Sequence, residues 1–149
     1  MAMLLDTSVL GRLANRADLA YPVATAAIAE LHRRGEMLHV TAQNLVEFRN
    51  FATRPVSANG LGLAGSAAEG LATTFETSFS LLNETPDIYL PWKALVGGLS
   101  VVGKQVHDAR LVAVCHVHGV THLLTFNVAH FAGLAGFGPG VMVVDPASV

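Results

Sequence analysis

One cysteine, few charges and no long apolar run set the first limits on this chain of 149 residues. The lone Cys115 excludes an internal disulfide and fits a reducing compartment. No apolar run reaches the roughly 18–20 residues that cross a bilayer, and no basic segment precedes an apolar core at the N-terminus. The expectation is a soluble, cytoplasmic protein with no membrane contact. Charged residues make up 13% of the chain, against about 25% in typical globular proteins, while apolar residues reach 52%. So little polar surface predicts a homodimer or another stable partner. The net charge of −2 argues against broad, nonspecific attraction to nucleic acid, so any contact with RNA or DNA must use a local basic patch. Repeats, low-complexity tracts and linkers are absent, and residues 1–149 read as a single domain.

The apolar segments that are present alternate between two periods. Met3-Leu4-Leu5 reads as a strand, followed by a short helix from Thr7 to about Asn15 and a longer one from Tyr21 to Arg34, stopped at Gly35. Met37-Leu38-His39-Val40 is a second strand, and Thr41 is a good N-cap for a helix that runs until Pro55. The breaker-rich stretch from Arg54 to Gly62 reads as a loop; without a Gly-Lys-Ser/Thr ending it is no phosphate-binding P-loop. A helix is predicted from about Leu63 to Leu82, another from Thr85-Pro86-Asp87 through Leu95, and a strongly apolar one from Lys104 to His118 that Gly119 stops. His122 to Thr125 and Val141 to Val144 complete four short, apolar strands. Strands of that kind, separated by helices, form a parallel sheet covered on both faces.

Three acids stand out against this background. Asp6 closes the first strand, and the carboxyl ends of parallel strands form the crevice where ligands sit in open α/β sheets. The competing reading is that Asp6 or Thr7 caps the next helix. Glu47 lies on the margin of an apolar stripe beside Phe48 and Phe51, or else is an exposed partner for Arg49 or Arg54. Asp108 is continued by Leu111, Val112 and Cys115 on its own helix side, although its first-turn position also suits the helix dipole. Acids that converge repel one another. A divalent cation relieves the repulsion, and hard oxygen ligands favour Mg²⁺ or Mn²⁺ over zinc.

Four segments, in order, resemble the motifs of the PIN domain: Leu4-Leu5-Asp6-Thr7-Ser8, Asn44-Leu45-Val46-Glu47-Phe48, His107-Asp108-Ala109-Arg110-Leu111-Val112-Ala113, and Leu124-Thr125-Phe126-Asn127-Val128-Ala129-His130-Phe131. Within that family the chain resembles the VapC-type toxins of bacterial type II toxin–antitoxin pairs, and its Arg54 to Gly62 loop is similar to a segment of one branch of them. The resemblance implies a doubly wound, three-layer α/β/α sandwich around a short parallel sheet. It also implies an endoribonuclease dependent on Mg²⁺ or Mn²⁺, with Asp6, Glu47 and Asp108 as metal-binding acids. Where the family often carries a fourth acid, this chain has Asn127, an amide that can ligate or orient water but brings no charge. A VapB-like antitoxin is the implied partner, seated in an apolar groove with a basic side chain toward the acids.

On this reading Asp6 and Asp108 bind the ion directly, and Glu47 binds directly or through water and is a candidate base for the attacking water. In-line attack on the RNA phosphate leaves a 5′-phosphate and a 3′-hydroxyl. Thr7, Ser8 and Thr125 have the spacing to orient the acids by hydrogen bonds, with helix capping as the alternative for Ser8. Arg49, Arg54, Lys104 and Arg110 are candidate phosphate contacts. Two other classes compete: a catalytically weak PIN-like module that binds RNA or protein, which Asn127 favours, and a zinc site from His107, Cys115, His116, His118 and His122, whose spacing is poor.

Overall fold

Alternation along the first strand decides where two cores form. In the computed structural model, which describes residues 1–149, strand β1 (Ala2–Leu5) sends Met3 and Leu5 into one apolar cluster and Leu4 into another. Such alternation is the period-2 geometry of a strand with both faces covered. The first cluster is closed by helices α1 (Thr7–Ala14), α2 (Tyr21–Arg33), α3 (Ala42–Thr53) and α4 (Gly65–Ser78), with Phe48 and Phe75 meeting edge to face at 5.0 Å. The second is closed by α5 (Tyr89–Gly98), α6 (Gln105–His118) and the short α7 (Val128–Phe131). Helices thus cover both faces of the sheet, which gives the expected three layers.

The sheet is wholly parallel, in the order β3-β2-β1-β4-β5, where β2 is Met37–Thr41, β3 Ser80–Leu82, β4 His122–Leu124 and β5 Met142–Val144. From β1 the chain winds outward to β2 and β3, then returns to β4 on the other side of β1. A crevice opens at that switch, outside the carboxyl ends of the strands. Leu5 pairs with Leu124, so the residues that follow β1 and β4 emerge side by side.

Two expectations need correction. The sheet has five strands rather than four, and the helix predicted from Leu63 to Leu82 begins at Gly65 and ends at Ser78, giving way to β3. Three residues at a sheet edge carry no readable alternation, and β3 exists because it pairs with β2, His39 against Ser80. Helix α7 is likewise too short to leave a period, and α5 starts at Tyr89 after a 3-10 turn over Pro86–Ile88. Two glycines have geometric work. Gly119 ends α6 in the left-handed region, at φ 65°, and a Cβ on Gly60 would lie 2.0 Å from the Arg54 carbonyl oxygen, so the loop closes only without a side chain there. No helix is long and apolar enough to cross a membrane.

Candidate functional site

Asp6 leaves β1 at the switch, its N–H donating to the Leu124 carbonyl at 2.9 Å and so extending the sheet by one bond. It occupies the N-cap position of α1, but its carboxylate makes no capping bond; Oδ2 accepts the Thr125 hydroxyl at 2.8 Å instead. Capping therefore does not account for this acid. Thr125 is fully buried and its Oγ1 accepts the Asn127 N–H at 2.9 Å, with Ser8 Oγ 3.3 Å away. Ser8 Oγ in turn accepts the Phe126 N–H at 3.1 Å. The hydroxyls of Ser8 and Thr125 thus hold the two strand exits in fixed register and aim Asp6 between them.

Helix α3 delivers the second acid. Thr41 caps it as expected, in a reciprocal pair with Asn44, and one turn further on Glu47 is held at both oxygens. Oε2 accepts Thr7 Oγ1 at 2.7 Å, and Oε1 accepts Gln43 Nε2 at 2.8 Å. The same Gln43 nitrogen donates to the His107 carbonyl at 2.9 Å, tying α3 to α6 one residue before Asp108. Glu47 is therefore not a surface partner for its neighbouring bases. Arg49 pairs with Glu69 and Glu76 of α4 at 2.9 and 3.7 Å, and Arg54 lies over the Phe51 ring at 5.9 Å.

Asp108 stands in the first turn of α6 with its side chain 25% exposed. Its carboxyl is pushed up to about 6, first by burial and then by the charges of Asp6 and Glu47, while His130 and His107 pull it down. His130 Nδ1 lies 3.9 Å from Oδ2. That the three acids feel one another follows from the cavity they share, about 240 Å³, which Thr7, Ser8, Arg12 and Asn127 also line. A second, wider groove of about 700 Å³ shares Glu47 and Asp108 and adds Gln43, Arg54, Lys104, His107 and Arg110. Three of the four candidate phosphate-binding bases are brought to it; Arg49 is not, being engaged with α4.

Three carboxylates and an amide oxygen around one small cavity are the donor set that suits a hard divalent ion. As they stand, no three of the acids close into a ready-made cage. Both oxygens of Glu47 are occupied by Thr7 and Gln43, and the three like charges repel one another. The residues fit such an ion in chemistry, although no three of them are placed to hold one together in this arrangement. The alternative zinc group is dispersed: Cys115 is in the core, its thiol pushed up to about 12 by burial, His118 Nε2 meets the Asn83 carbonyl at 2.9 Å, and His122 meets Thr121 at 2.7 Å.

Two residues of the site escape a reading of the sequence. Gln43 is one turn before Glu47, an i, i+4 spacing that could have flagged it. Arg12 is one turn after Ser8, donates to the Ser8 carbonyl at 3.2 Å, lies over the Phe126 ring at 5.0 Å and places a cation among the acids. Its Nε is buried without a partner.

The family comparison decides the class. The PIN domain matches residues 3–135. This chain belongs to the PIN-domain family. Among solved structures, this PIN domain is similar to VapBC2 from Rickettsia felis, bound to a promoter DNA fragment, with a TM-score of 0.73, 11% identity and coverage of 97% of this chain and 98% of that one. DNA-bound VapBC from Salmonella typhimurium gives 0.71 at 13% identity, covering 98% of each chain. VapC20 from Mycobacterium tuberculosis, a toxin that cleaves the sarcin–ricin loop, gives 0.64 at 20% identity, covering 87% of this chain and 93% of that one. No curated protein sequence matches. At these identities the similarity is one of fold, and the PIN architecture expected from the four motifs is the one observed.

Proposed function

We propose that this PIN domain is an endoribonuclease dependent on Mg²⁺ or Mn²⁺ and the toxin of a type II toxin–antitoxin pair. The observation that supports it most is the meeting of Asp6, Glu47 and Asp108 at one cavity, beside a groove lined by Arg54, Lys104 and Arg110. A bound divalent ion supplies neutralisation of phosphate oxygens and a water of lowered pKa. Asp6 and Asp108 would hold it, Thr125 and Thr7 would aim Asp6 and Glu47, and Glu47 would take the proton of the attacking water. Lys104 and Arg110 would hold phosphates flanking the cut. The neutral Asn127 leaves three carboxylates, which balance one such ion better than two.

The solved relatives that carry both VapB and VapC support a VapB-like antitoxin as partner, and the high apolar content supports a homodimer. Binding of RNA without cleavage is the second reading, favoured by Asn127 and by the open spacing of the acids. Incubation of the purified chain with total RNA, with and without Mg²⁺, separates the two. The nuclease reading expects new ends carrying 5′-phosphates only with the ion, and none from Asp6→Asn or Asp108→Asn. Binding without ion-dependent ends would replace it with the second reading.

A further inference from the structure

Next to the acid-lined groove lies a separate pocket to which the PIN motifs contribute only Arg110. It has a volume of about 240 Å³ and is lined by Thr85, Pro86, Ile88, Tyr89, Trp92 and Arg110. Arg110 lines the groove as well, so the two spaces share this residue. The aromatic floor is held in place: Trp92 Nε1 donates to the Val106 carbonyl at 2.8 Å, and the Tyr89 and Trp92 rings lie 5.8 Å apart, tilted by 37°. Tyr89 remains 57% exposed. Val106, Asp108 and Arg110 all lie at the start of α6, so the pocket leans on the same helix end that presents the third acid.

We propose that this pocket takes one unpaired nucleobase of the RNA strand whose phosphates run along the groove, and that it sets base preference beside the cut. The proposal rests on the nuclease reading above. Flat aromatic faces next to a cationic track are how single strands are held, because every base has a π-face and every link a phosphate. Arg110, its guanidinium held by Glu84 and Gln43, lines both the groove and the pocket. Thr85 adds a polar handle: its Oγ1 is buried and has no hydrogen-bond partner, so rotation about χ1 offers a donor or acceptor to a base edge. A protein side chain as occupant would leave the adjoining cations without a role, whereas a nucleotide uses both.

Trp92 is the only tryptophan of the chain, so its fluorescence reports on this pocket alone. The test titrates the full chain, in EDTA, with each of the four nucleoside 5′-monophosphates and with a single-stranded oligouridylate. Saturable quenching that differs among the bases, weakened roughly tenfold by Tyr89→Ala, is the expected result. Thr85→Val should change the order of preference among bases while leaving quenching by the preferred class measurable. Absence of quenching, or quenching that Tyr89→Ala leaves unchanged, overturns the proposal. So does an emission shift that follows protein concentration instead of nucleotide, which would assign the pocket to a second copy. Since no divalent ion is present, failure here is distinct from failure to cleave RNA with Mg²⁺.

Discussion

Thr7, the residue after Asp6, donates its hydroxyl to Glu47 at 2.7 Å, so the first and second acids are joined through a side chain forty positions away in sequence. The bond fixes one oxygen of Glu47, and the Thr7 oxygen also accepts from Asn44 Nδ2 at 3.3 Å. Thr7→Val should lower metal-dependent cleavage by about 10–100-fold, the usual cost of losing a hydrogen bond behind a ligand. Thr7→Ser keeps the donor and should restore most of the rate. Equal loss in both variants, measured by initial rates on one RNA, would show that the methyl rather than the hydroxyl matters.

Asp108 makes a prediction about pH. Its carboxyl, at about 6 in the folded chain, releases its proton near 3.8 when unfolded. Between those values the unfolded state binds fewer protons, so stability falls as pH rises through the interval and levels off above it. In EDTA, Asp108→Asn should therefore exceed the parent by about 1–2 kcal/mol at neutral pH, allowing for solvent screening, and converge with it as pH falls below 3.8. Added Mg²⁺ should close the gap at neutral pH by stabilising the parent alone. Chemical denaturation across that range, with and without the ion, measures all three.

Gln43 has a similar positioning duty, because one side-chain amide touches Glu47, the carbonyl before Asp108 and, through its oxygen, Arg110 at 3.1 Å. Gln43→Ala should weaken Mn²⁺ binding by about 10–100-fold, read by paramagnetic resonance without any RNA present. Unaltered affinity would leave Gln43 as a packing residue only.

Among the bases, the structure separates two groups that look alike in sequence. Lys104→Ala should reduce the slope of log affinity against log salt by about 0.7 for a single-stranded RNA, and Arg110→Ala by less, because Glu84 already pairs with that guanidinium. Arg49→Ala should not change it, since Glu69 and Glu76 already hold that guanidinium. An effect of Arg49 equal to that of Lys104 would place the RNA path over α4 instead.

What is legible in the sequence is local or periodic. Met3-Leu4-Leu5-Asp6 announces a strand that ends in an acid, Thr41 announces a helix start, and Gly119 a helix stop, because each depends on neighbours within a turn or a few residues. The four motifs added the family and its layered architecture. β3 stayed hidden because three edge residues gain their strand geometry only from pairing with β2. Gln43 could have been suspected from its spacing to Glu47, but its bond to the His107 carbonyl spans 64 residues and belongs to no pattern.

The chain by itself determined which residues alternate, which caps begin and end its helices, and that its acids follow strands or open helices. Tertiary structure alone decided that Asp6, Glu47 and Asp108 share one cavity, that Arg49 turns away from it, and that Trp92 leans on the turn carrying Asp108. The physical reason is range. Backbone preference acts over a few residues, whereas the meeting of side chains from β1, α3 and α6 is fixed by parallel pairing and by the packing of helices on both faces of the sheet.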